Sequence, residues 1–178
     1  MKVFKNVTCP LYLIFFTLLS MSNLKAQTLR LEPFLPKEYQ YIITVEPEQE
    51  GMFATNYDAV HPDTQVASFE IIVNQMPKSM VTIEGMSDGI ERNAKDYGSA
   101  MQLTLLQEEA KDNVIRRLYQ IKNELSTVLM LMYQSGENLT VVEVEFHPAD
   151  FKVVPLERWQ NIFWQIHQQN EQSKHKTE

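Results

Sequence analysis

Glu143 and Glu145 stand two residues apart in Asn138 to His147, a run that alternates like a β-strand, so both carboxylates fall on one face. The strand rise separates them by about 7 Å, close to the spacing at which paired carboxylates cleave glycosidic bonds. Such a pair needs a sugar cleft lined with aromatic and polar groups. In the hairpin register set by Ser135-Gly136-Glu137-Asn138, its cross-strand neighbours are Met130 and Val128 instead. A sheet face running out to solvent, with Arg116 or Arg117 partly compensating, accounts for the pair, and no catalytic residue is assigned.

Metal chemistry has two candidate segments, His61-Pro62-Asp63 and His147-Pro148-Ala149-Asp150, each placing an imidazole near a carboxylate, with His167 as a third donor. Zinc sites use three or four protein ligands, and each segment supplies two. Proline fixing φ and aspartate bonding its own backbone make both segments turns. No metal and no cofactor is expected. Five glycines form neither Gly-x-Gly-x-x-Gly nor a P-loop, and no Gly-x-Ser-x-Gly elbow is expected. The chain is expected not to be an enzyme.

One large aromatic is left over. Leu156, Trp159, Ile162, Phe163 and Ile166 make an apolar stripe at helical spacing, whereas Trp164 lies about 100° away from Phe163 and reaches toward the surface. Aromatics in that position anchor protein contacts, so Trp164 is the expected partner-binding residue.

The compartment follows from the amino-terminal residues. Lys2 and Lys5 precede a nearly continuous apolar run from Leu11 to Met21, and a short polar stretch then ends at Ala26. These are the three parts of a secretory signal peptide, with cleavage expected between Ala26 and Gln27. The run is about half of what a membrane-spanning helix needs, so no stable membrane insertion is expected after cleavage. Cys9, the single cysteine, would leave with it, and the domain would rest on its core without thiols or disulfides. A periplasmic or secreted location in a Gram-negative bacterium fits.

The chain of 178 residues is 44% hydrophobic and 22% charged, values of an ordinary globular domain. Its 16 Lys and Arg against 23 Asp and Glu give a net charge of −7, and removing residues 1–26 with their three lysines leaves 152 residues at −10. That balance argues against nucleic acid, whose binding neutralises phosphates, and favours a basic partner.

The elements that must hold these residues can be read in order. Residues 27–38, with Pro33 and Pro36, form an extended lead-in; 39–167 form one α+β domain; the polar tail 168–178 has nothing to bury and is expected to be disordered. Strands are expected at Tyr39–Glu46, Gly51–Thr55 and Gln65–Gln75, with a loop at Asn56–Thr64. A helix capped by Ser79 follows, carrying Ile83, Met86, Ile90, Ala94 and Tyr97 on one face and stopping at Gly98. Met101–Glu109, Asn113–Asn123, Ser126–Gln134 and Asn138–His147 are four strands whose short connectors force antiparallel pairing. In the last hairpin Tyr133 should face Thr140, Leu131 Val142, Leu129 Val144 and Thr127 Phe146. Because Thr127 to Tyr133 is apolar on both faces, both need cover. The expected fold is α+β: an antiparallel sheet with a helix on each face, in the order β-β-β-α-β-β-β-β-α.

The helix after Ser79, the meander from Gln102 to Phe146 and the closing Leu-Glu-Arg-Trp-Gln-Asn-Ile-Phe-Trp-Gln-Ile together resemble the PsbP/Mog-like domains of bacterial exported proteins. The resemblance spans Tyr39 to His167 and rests on element order. It implies a domain that works by binding other proteins. The expected function is a non-enzymatic binding or scaffolding protein of the cell envelope, its partner a protein or envelope component. The alternative is a small-molecule carrier or hydrolase with its pocket between the sheet and the 79–98 helix.

Overall fold

The computed structural model describes residues 29–64, 67–111 and 113–174, with the side chains of Ser99 and of residues 167–174 outside the description. The expected signal peptide, Cys9 and the cleavage bond lie outside the described residues. Among the described residues there are seven strands and two main helices: β1 (Gln40–Val45), β2 (Phe53–Val60), β3 (Ala67–Pro77), α1 (Ile83–Tyr97), β4 (Gln102–Lys111), β5 (Val114–Lys122), β6 (Thr127–Ser135), β7 (Asn138–Phe146) and α2 (Leu156–Lys174). The class is α+β, and all strands pair antiparallel in one sheet of order β1-β2-β3-β7-β6-β5-β4.

That order explains where α1 has to go. β3 lies in the middle of the sheet and β4 at its far edge, so the connection passes β7, β6 and β5. Four inter-strand steps cover about 19 Å, and the 15 residues of α1 make a helix about 22 Å long. The carboxy-terminal end of α1 is therefore delivered to the β4 edge.

The last hairpin has the expected register: Tyr133 pairs with Thr140, Leu131 with Val142, Leu129 with Val144 and Thr127 with Phe146. Ser135 and Asn138 themselves pair, which shortens the turn to Gly136-Glu137, and Gly136 has φ 59, a left-handed conformation that glycine adopts without cost. Alternate residues of the central strands enter two hydrophobic clusters. Leu129, Leu131, Val142, Val144 and Phe146 pack with Trp159, Phe163 and Ile166 of α2. Met132, Leu139, Val141 and Tyr119 pack with Ile83 of α1.

Four expectations change. Residues 56–60, expected as loop, belong to β2, where buried Tyr57 and Ala59 alternate with Asn56 and Asp58. The helix cap is Thr82, not Ser79: the Thr82 hydroxyl accepts from the Gly85 amide at 3.2 Å, while residues 78–80 form a turn after β3. The lead-in is turned rather than extended, with the Phe34 and Leu35 amides donating to the Leu31 carbonyl, and Leu29, Leu31 and Leu35 enter the larger core cluster. The helical backbone of α2 continues to Lys174, beyond the expected start of the polar tail at 168. No helix among the described residues is long and apolar enough to cross a membrane.

Candidate functional site

The two His-Pro segments are turns. At His61 the ring Nδ1 accepts from the Asp63 amide at 3.3 Å. At His147 the backbone amide donates to Asp150 at 2.8 Å, and the other Asp150 oxygen accepts from the Ser68 hydroxyl at 2.6 Å. Asp150 is buried and joins the start of β3 to the loop before α2. Among the described residues no group of three or more His, Cys, Asp or Glu is arranged to hold a metal ion.

Glu143 lies opposite Met130 and Ile72, and Glu145 opposite Val128. Burial, reinforced by the charge of Glu145, raises the Glu143 carboxyl above its ordinary value. Neither arginine compensates the pair, contrary to expectation. Arg116 points to the opposite face, and Arg117 donates to Glu108 and to the Ser87 hydroxyl at 2.7 and 2.8 Å. The pairings of Asp58 with Glu70 and of Ile72 with Glu143 put two further acids on the Glu143 face. Like charges gather there.

Gly85-Met86-Ser87-Asp88-Gly89 spells Gly-x-Ser-x-Gly, which corrects the expectation that this pattern is absent from the chain. That pattern works at a sharp strand-to-helix turn that exposes the serine. Here it sits inside α1, Ser87 is buried, and its hydroxyl accepts from the Arg117 guanidinium. An always-protonated donor cannot take the hydroxyl proton as a general base must.

Trp164 is half-buried against the larger core cluster, and Arg116 lies over its ring at 3.9 Å from the centroid. The same guanidinium donates to the Trp164 carbonyl at 3.1 Å and to Glu109 through Nε at 2.8 Å. The ring expected to meet a partner thus has a cation stacked on it from within the chain.

Open space lies elsewhere. A cleft of about 440 Å³ separates the last turns of α1 from β4 and β5. Tyr119 and Leu103 form its floor, Leu105 one wall, and Ala94, Glu91 and Lys95 the helix side. Gly98, at φ 59, turns the chain out of α1 at the cleft's end. The β4–β5 register shifts between Leu105 and Gln107, a bulge that bends the edge strand beside the cleft. Leu105 and Tyr97 remain exposed at this end of the molecule, at 45% and 65%. These residues come from α1, β4 and β5, and no local motif in the sequence marks them.

No protein-family model matches the chain, and no curated protein matches its sequence.

Proposed function

We propose that the protein is an exported, non-enzymatic binding domain of the cell envelope, with α1 and α2 on opposite faces of the sheet and the α1–β4 cleft as its contact surface. One observation carries the reading: a cleft beside α1 that opens over the apolar Leu103 and the buried Tyr119, with exposed Leu105 on its wall and exposed Tyr97 nearby. Exposed apolar residues grouped at a concave site mark contacts with other molecules. The acidic balance of the chain selects a partner segment that is basic and offers an apolar side chain to the cleft. Trp164 serves to hold Arg116. The resemblance to PsbP/Mog-like domains, which rests on element order, supports a protein-binding role as well.

The test is capture from the host's envelope fraction by the tagged protein and by Leu105→Glu. A partner retained by the first and lost by the second supports the reading; equal retention by both contradicts it.

The volume of the cleft favours a second reading, since about 440 Å³ is within the range of small-molecule sites. A carrier would bind an apolar metabolite there, and saturating ligand would raise the unfolding temperature. A thermal-shift series with apolar ligands, each repeated on Leu105→Glu, separates this reading from the first.

A further inference from the structure

The two edges of the sheet differ in how they are protected. β4 carries a bulge between Leu105 and Gln107, with Glu108, Glu109 and Lys111 along it, the devices that keep an edge from pairing with another chain. β1, Gln-Tyr-Ile-Ile-Thr-Val, has no charge, no proline and an unbroken register with β2. Ile42, Ile43 and Val45 on it are 60%, 43% and 64% exposed.

We propose that β1 pairs antiparallel with β1 of a second copy, joining two sheets into one across a two-fold axis. The register follows from the backbone. Glu46 donates its amide to the Ala54 carbonyl at 3.0 Å, and by alternation residues 44, 42 and 40 also turn their amides toward β2. Tyr41, Ile43 and Val45 therefore turn theirs outward. Centring the axis on Ile43 pairs all three, Ile43 with Ile43 of the second copy and Tyr41 with its Val45. A shift of the axis by one residue toward either end drops one outward residue from the ladder or opposes it to Pro47, which has no amide to give. On the other face Ile42 meets Thr44.

Charge chooses the direction. Lys37 and Arg158, the latter ion-paired to Glu38, lie at the amino-terminal end of β1, and Glu46, Glu48 and Glu50 follow its carboxy-terminal end. Antiparallel pairing brings the flank of each copy that holds Lys37 and the Arg158–Glu38 ion pair, net positive, to the acidic flank of the other. Parallel pairing would stack the three glutamates on their own copies. The two-fold arrangement uses up the edge, so assembly stops at a dimer.

Sedimentation of the purified protein over a concentration series, together with amide exchange by NMR, tests this. The expected result is a dimer in which the Tyr41, Ile43 and Val45 amides exchange at least about tenfold more slowly than in a dilute monomer. Ile43→Lys should return the protein to monomer and restore fast exchange. Val45→Lys, at a more exposed position, repeats the test should the first variant unfold. A monomer at all concentrations, open-ended growth, or a dimer whose three amides stay fast would overturn the proposal. Loss of the dimer leaves the reading of the α1–β4 cleft untouched, because the two surfaces are at opposite edges of the sheet.

Discussion

The guanidinium of Arg116 lies 3.9 Å from the centre of the Trp164 ring and donates to the carbonyl of that residue at 3.1 Å. Arg116 is itself buried and ion-paired with Glu109. The stack thus ties α2 to β5 and β4 through a cation that has left water. Removing either side chain abolishes the stack, while the Trp164 carbonyl and Glu109 still accept from Arg116 when the ring is gone, so the coupling reports the stack itself. A double-mutant cycle of Arg116→Met and Trp164→Leu, read by urea unfolding, should give a coupling of about 0.5–2 kcal/mol. A coupling indistinguishable from zero would mean that the ring and the guanidinium are merely adjacent.

Gly89 sits inside α1 with nothing within 4 Å of where a Cβ would be, whereas Gly98, equally unobstructed, has φ 59. Space is available at both positions and backbone conformation at only one. Gly89→Ala should therefore stabilise the fold by about 0.5–1 kcal/mol, since alanine is the better helix former. Gly98→Ala should destabilise it by about 1 kcal/mol or more, because the left-handed conformation strains any side chain. Thermal unfolding of both variants checks the opposite signs; the same sign for both would contradict the assignment.

These two glycines also indicate how much the sequence disclosed. The apolar spacing of Ile83, Met86 and Ile90 announced α1, and the short connector Ser135-Gly136-Glu137-Asn138 set the hairpin register residue by residue. Where polar residues lie within an element, the reading fails. Asn56 and Asp58 look like turn residues, yet they are the outward half of a strand whose Tyr57 and Ala59 are buried. Ser79 and Thr82 are both good caps by type, and the turn closed by the Met80 amide donating to the Pro77 carbonyl decides between them. A pocket between the sheet and the 79–98 helix was the alternative expectation, but the residues lining the cleft could not be read, because they depend on α1 crossing the sheet to reach β4. Trp164 was legible as unusual but not as the seat of Arg116.

Ser87 should behave as a structural hydroxyl. A fluorophosphonate probe, which labels activated serines, is expected to leave the protein unlabelled, and Ser87→Ala should cost about 1 kcal/mol through the acceptor lost by Arg117. Covalent labelling that disappears in Ser87→Ala would instead establish a nucleophile in α1.

Glu143 gives the fold a pH dependence of known sign. Burial and Glu145 raise its carboxyl in the folded chain above the ordinary 4.5, so the native state holds the proton more tightly than the unfolded state does. Its contribution to stability is fully present below the unfolded value and is lost as pH rises through the folded one. Glu143→Gln should therefore stabilise the protein near pH 7 and have little effect near pH 4. Urea midpoints at the two pH values test this, and an equal effect at both would remove the burial argument.

The proposed contact surface can be probed most directly by placing a photo-activated cross-linking side chain at position 105 and, as a control, at exposed position 70, with irradiation in the intact envelope. A defined adduct with a basic envelope protein from position 105, absent from position 70, is the predicted result. No adduct from 105, or the same adducts from both positions, would contradict the assignment of the α1–β4 cleft as the binding surface.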